Sequence, residues 1–381
     1  MIYTGNSKNL KIDPYEECPC DSGKKFKFCC YQEARKVKHN GYKTPDYSDS
    51  RINHMVHKTW EDTDFKVCLG FEKENCNGDI KNAHSLQNNR ILNRISVNNH
   101  LYKFSFKVNK TGPVGYFQKI SKNKASAFFG FCDYHDTELF KPIELHDYDN
   151  TELQNFLFAF RSHSLEYHLK LRKLEMQKEV FKLNPSMMLD ESGVYVYKVA
   201  KLDVEDCAKN HEMFKIDYLN GDYSKIKTIH RKLDYEVPFA TCTSFAVNKD
   251  LNGNIINDIY STDEEDMPSV YLNVYPIENG TNIIISYHEN DERFYKTYFT
   301  QLEQLDNDEL TEYMNFLIIE YTENVFFNID FIENLESKSK ESLLESFQSS
   351  VNLLMKFDLI DTGNYYNFNL FQDVDQSSVS L

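Results

Sequence analysis

A chain of 381 residues is longer than one ordinary domain of about 100–200 residues and predicts two or three units. With 41% hydrophobic residues, 28 Phe and 25 Tyr, it has the material for packed cores, which excludes a mostly disordered chain. The net charge of −16 is uneven: residues 1–140 carry 22 Lys and Arg against 16 Asp and Glu, and the remainder carries 21 against 43.

That split leaves two readings, regions facing different partners or surfaces that simply differ, and it keeps nucleic acid open as a partner of residues 1–140. No apolar run approaches the roughly 18–20 residues of a membrane span. The first residues lack a basic segment followed by an apolar core, so no leader is predicted and the expected location is the cytoplasm. Seven of the nine cysteines (Cys18, Cys20, Cys29, Cys30, Cys68, Cys76 and Cys132) lie in the first 140 residues. In a reducing compartment such clustering points to metal rather than disulfides. Cys207 and Cys242 stand alone and read as small buried apolar groups.

Residues 18–30 read Cys-Pro-Cys-Asp-Ser-Gly-Lys-Lys-Phe-Lys-Phe-Cys-Cys. Four thiols in so short a span meet the ligand count of a closed tetrahedral zinc site. Pro19 stiffens the first bend and Gly23 permits the turn that returns the chain to Cys29 and Cys30. The stretch closely resembles the SEC-C motif, the small zinc-binding tail of the preprotein-translocase motor ATPase. The match covers residues 16–31, with Asp21 where Gly is usual. The resemblance implies a structural zinc on Cys18, Cys20, Cys29 and Cys30 and a docking module for a protein partner. Lys24, Lys25 and Lys27, interleaved with Phe26 and Phe28, read either as a basic aromatic contact face or as a solvated edge.

After a polar linker, roughly residues 38–58, Cys68 and Cys76 precede the run Ile80 to Asn89, and Cys132 and His135 follow with C-x-x-H spacing. A knuckle, a hairpin and a second knuckle entering a helix form a treble-clef order. Over residues 65–145 it resembles the HNH nuclease core. The resemblance implies zinc on Cys68, Cys76, Cys132 and His135, His84 as the general base, and Asp136 as a ligand of Mg²⁺ or Mn²⁺. Asn88 or Asn89 would steady the base, with Lys81 and Arg90 on the phosphate. The chain departs from that family in its wide first knuckle, in lacking the middle Asn, and in Asp for His at position 136. Two alternatives stand beside it: His84 as itself the fourth zinc ligand, and Ser85 as an ordinary helix N-cap before Leu86, Ile91, Leu92 and Ile95.

A long helix is predicted from residue 152 to about 183, with Leu153, Phe156, Leu157, Phe160, Ser164, Tyr167, Leu171 and Leu174 forming one stripe and Asn184-Pro185 ending it. On it, Arg161, His163, Glu166 and His168 read as exposed or paired with neighbours. Residues 193–199 alternate as a strand and 204–219 read as helix. Residues 239–247, 269–275 and 281–287 read as strands, the last two joined by a turn at 276–280. Residues 306–324 and 337–357 read as helices. The acids at 263–266 read as a solvated loop.

The predicted class is α+β and multidomain, with antiparallel strands: a zinc knuckle at 1–37, a linker at 38–59, a treble-clef-like zinc domain at 60–190, an acidic α+β domain at 191–372 and a disordered tail at 373–381. The expected function is a bacterial-type zinc protein with HNH-like nuclease chemistry, a candidate for nucleic-acid defence. The rival is a non-enzymatic adaptor, both zincs structural, docking on protein or RNA.

Overall fold

The computed structural model describes residues 10–40, 46–259, 266–351 and 368–371. In chain order its elements are α1 (Tyr31–Asn40), α2 (Asp49–Asp62), β1 (Ile80–His84), the single turn α3 (Asn93–Ile95), β2 (His100–Asn109), β3 (Gly112–Ser121) and β4 (Ala127–Cys132). Helices α4 (Asp133–Glu144), α5 (Glu152–Leu183) and α6 (Glu191–Asn220) follow, then β5 (Ile226–Leu233), β6 (Phe239–Phe245), β7 (Val270–Ile277) and β8 (Gly280–His288). The chain continues through α7 (Glu292–Gln304), α8 (Asn307–Tyr321), β9 (Val325–Phe327), α9 (Ile329–Asn334) and α10 (Ser337–Val351). This is an α+β architecture with antiparallel sheets, as the sequence predicts.

Seven strands pair antiparallel in the order β3-β2-β9-β6-β7-β8-β5. Their side chains alternate between two cores. Val270, Leu272 and Val274 face α7 and α8 through Tyr295, Tyr298, Phe299 and Met314, whereas Tyr271 and Tyr275 face α5. With both faces covered, β7 and β8 are buried along nearly their whole length, polar residues such as Asn273, Asn282 and Ser286 included. Strands β2 and β3 belong to the same sheet as β5 to β9, so it draws on both sides of the boundary expected at residue 190.

Helix α5 follows the predicted boundaries, with the Thr151 side chain accepting from Gln154 N at its start and Asn184 at its end. Its first half, Gln154 to Leu165, is buried all round, because the sheet covers one side and α4 and α6 the other. Of Arg161, His163 and His168, expected as exposed or paired with neighbours, none is exposed, at 3%, 1% and 1%, and Arg161 is paired, with Glu144. The alternation at 193–199 is not a strand. Those residues form the first turns of α6, where the Asp190 carboxylate caps Ser192 N and Gly193 N and Val194 packs on Phe181. Ser85 is no helix cap: it is buried after β1, and its hydroxyl accepts from Asn324 Nδ2 at 3.1 Å.

Residues 49–62, which begin within the expected linker and run past its end at 59, form α2, capped by Ser48. The turn between β7 and β8 is a two-residue one, Glu278-Asn279, with Asn279 at φ +55°. Asp306 and Glu309 form a reciprocal capping box at the start of α8. Cys242 is buried and Cys207 half-buried. Of the acidic run, Asp266 is described and pairs with Lys209, whereas residues 263–265, the end of the helix predicted to 357 and the tail at 373–381 lie outside the described residues. No described helix is long and apolar enough to cross a membrane.

Two imidazoles meet at this helical layer, His163 buried and His211 half-buried. His163 and His211 stack with ring centroids 5.8 Å apart. Burial, and then His211, holds His163 well below its usual value; burial, and then Lys73, lowers His211 to about 4. The unfolded chain takes up these protons near 6.5 and the folded chain does not, so stability is fully present above that pH and falls as pH drops toward 4. His211 alone is expected to lose about 2 kcal/mol between its usual value and about pH 5. Urea unfolding across that window measures the slope, and His211→Gln should flatten it. Equal slopes in both proteins would contradict the assignment.

Candidate metal centres and the His84 site

The chain around Cys18 returns on itself through a bridge between Glu17 and Lys25, with Cys18 N donating to Lys24 O at 2.8 Å. Two left-handed residues make the turn, Asp21 at φ +58° and Gly23 at φ +68°; Asp tolerates that region better than most side chains. A second bend, with Cys29 N donating to Phe26 O at 3.0 Å, brings the Cys29–Cys30 pair under Cys18 and Cys20.

The four sulfurs all lie within 4.8 Å of one another, with Cys18–Cys20, Cys20–Cys29 and Cys29–Cys30 at 3.4, 3.5 and 3.7 Å. A tetrahedron of Zn–S bonds of about 2.3 Å has S···S edges of about 3.8 Å, so this spacing suits zinc. Burial raises Cys18 and Cys30. In Cys20, hydrogen bonds from Ser22, Cys18 and Cys29 outweigh burial and lower the thiol to about 6. Four crowded thiols that cannot all ionise alone are what a divalent cation resolves. The knuckle rests on the far end of the α5–α6 pair, where Ile12, Cys18 and Phe26 pack against Phe181, Met188 and Val194.

The second cluster is assembled from remote pieces. The segment before Gly70 hooks onto β4, Val67 N to Phe129 O and Leu69 N to Gly130 O, which places Cys68. Cys76 follows the short turn Lys73–Asn75, Cys132 is the N-cap of α4, and His135 sits in that helix's first turn. His135 Nδ1 lies 3.3 Å from Cys68 Sγ and 3.1 Å from Cys132 Sγ, and all four ligand atoms fall within 4.8 Å. Gly70 makes room for the imidazole, since a Cβ there would come within 2.3 Å of its Cγ. Burial raises Cys68 to about 11. In Cys132 the hydrogen bonds, led by those with His135, outweigh burial and lower the thiol to about 6. The donor set, its burial and its spacing fit zinc, and His84 is not needed to complete it.

His84 ends β1. Its Nδ1 is 2.9 Å from Ala125 O, with Ser126 Oγ at 3.4 Å, which fixes the ring through one nitrogen and leaves Nε2 as the other. Burial lowers its pKa, the Ala125 carbonyl opposes this and the Arg161 charge adds to it, so the ring is neutral near pH 7. Asp136 is half-buried on α4; burial raises it and Arg161 opposes. No hydrogen bond or ion pair joins His84 to Asp136. Asn88 Nδ2 donates to Asn123 at 3.0 Å and does not reach His84. Arg90 is engaged by Asp147 and by the carbonyl of His146, and Lys81 is exposed on β1.

Two residues that the sequence reading did not assign to this site stand within it. Arg161 of α5 pairs through Nη2 with Glu144 Oε1 at 2.6 Å and lies 4.1 Å from the Phe140 ring centre. Its charge and that of Glu144 act on both His84 and Asp136. The signal was present: Asp136, Phe140 and Glu144 recur at four-residue steps, and Arg161 directly follows an apolar run, Phe156 to Phe160. No family model, curated protein or solved structure matches the chain.

Proposed function

We propose that this is a two-zinc protein whose second zinc unit carries an HNH-like nuclease site, with His84 as general base. The observation that carries the reading is the fixed imidazole. With Nδ1–H given to the Ala125 carbonyl, Nε2 keeps its lone pair, and burial keeps the ring neutral. In that state His84 takes a proton from water as the oxygen forms its bond to phosphorus, and the leaving oxygen departs and is protonated from solvent.

Zinc on the Cys68 cluster would be structural, holding β1 against α4 and supplying no reacting group. The resemblance assigns Asp136 to Mg²⁺ or Mn²⁺ together with His84. No hydrogen bond or ion pair joins the two side chains, and the chemistry proposed rests on His84. Plasmid and RNA cleavage in Mg²⁺ or Mn²⁺ is the test. His84→Ala is expected to lower the rate by about 10²–10⁴-fold with zinc content intact. Cleavage that is absent, or indifferent to the substitution, removes the reading.

The adaptor reading has its own support. Around the SEC-C-like knuckle, Tyr15 and Phe28 are 55% and 67% exposed. Lys27 lies 4.8 Å from the Tyr15 ring centre and 5.9 Å from that of Phe28. Such a basic aromatic face suits a protein or RNA partner, and it becomes the leading function if no cleavage is found.

A further inference from the structure

Arg161 is a cation in an unusual position: 3% exposed, yet only partly bonded. A guanidinium offers five N–H donors in a planar fork. Among the described residues, the Nη2 bond to Glu144 is its one hydrogen bond, and its buried Nε has no partner there. Burying a charge with unmade hydrogen bonds is costly, so a site that keeps one has a use for the donors. Phe140 braces the plane from one side. The counter-ion is less confined than the cation: the Glu144 side chain is 35% exposed, so it can swing into water and leave the fork to another anion.

We propose that Arg161 is the phosphate anchor of the His84 site, with Glu144 as its resting counter-ion, so that a nucleic-acid phosphodiester displaces the carboxylate and takes the fork. The inference rests on reading this site as one for phosphodiesters. It moves the anchoring role from Arg90, which Asp147 and the His146 carbonyl occupy, to a residue that acts on both His84 and Asp136. A carboxylate counter-ion also explains why a buried cation would persist before substrate arrives.

The test is binding of a short fluorescein-labelled oligonucleotide to the full zinc-loaded chain, followed by anisotropy without Mg²⁺, so that no turnover is needed. Arg161→Lys keeps the charge and loses the fork, and should weaken binding about tenfold. Glu144→Gln frees the fork from a partly exposed partner and should tighten binding about threefold, with zinc content and melting temperature read alongside. Inorganic phosphate should compete only weakly if the polymer is the ligand; competition as strong as that of unlabelled oligonucleotide would overturn the assignment to a phosphodiester. The two opposite shifts together support the anchor. Any other pattern, including a loss in Arg161→Lys that merely follows unfolding while Glu144→Gln binds as the native chain does, overturns it. His84→Ala should leave affinity within about twofold. Opposite shifts without cleavage would retain the anchor and remove the nuclease, whereas His84-dependent cleavage with unshifted binding would remove the anchor alone.

Discussion

Cys132→Ser is expected to halve the zinc content and to release the β1–β4 ribbon together with the first turn of α4. Two clusters could each hold one ion, so the native chain should carry about two equivalents. Cys132 is both ligand and N-cap of α4, and its amide also donates to Cys68 Sγ at 3.4 Å. Structural zinc sites contribute on the order of 10–16 kcal/mol in isolated fingers. That rivals the whole stability of an ordinary domain, about 5–15 kcal/mol. Without the metal, β1 and β4 are a two-stranded ribbon, which is marginal in water. Gly70→Ala should reproduce the effect without touching a ligand, because its Cβ would meet the His135 ring at 2.3–2.7 Å. Elemental analysis and limited proteolysis report the result. Native zinc content in Cys132→Ser would show that the cluster does not bind metal as described.

Phe160→Ala is expected to cost about 3–5 kcal/mol in urea unfolding with an unchanged slope. The ring is fully buried and contacts Phe71 with centroids 4.3 Å apart, Phe214 at 5.4 Å, Phe131 at 6.0 Å and Phe140 at 6.1 Å. Those partners belong to the first knuckle of the second cluster, to α6, to β4 and to α4, so one side chain joins the zinc unit to the helical layer on the sheet. Little room exists for collapse, since the neighbours are themselves aromatic and close-packed. A loss below about 1 kcal/mol would mean that the cluster repacks around the gap.

What could be read from the sequence follows how local each determinant is. The bounds of α5, the β7–β8 pair and the start of α8 were legible because caps, a turn and continuous periodicity lie within a few residues of one another. The four thiols at 18–30 were legible for the same reason. The second ligand set was legible because Cys and His are few. Residues 193–199 misled because β-branched and aromatic alternation is a weak local preference, which the Asp190 cap and the contact of Val194 with Phe181 override. The burial of Arg161 and His163 was hidden because it depends on which surfaces cover α5, and periodicity shows one apolar stripe rather than two packing partners. The three residues of β9 are too few to register as a strand, yet they join β2 to β6.

That short strand has a consequence for how the chain is made. β2 emerges early from the ribosome, but its sheet partner lies about 220 residues downstream, so at about 5–20 residues per second its open edge waits for some 10–45 s. During that interval the β2–β3 hairpin, with Phe104 and Phe117, exposes an unpaired apolar margin of the kind that recruits foreign strands. A nascent chain stopped near residue 190 would hold both sets of thiols and still be prone to aggregate. Completion of the sheet, rather than metal capture, therefore marks the point at which synthesis yields a self-sufficient molecule.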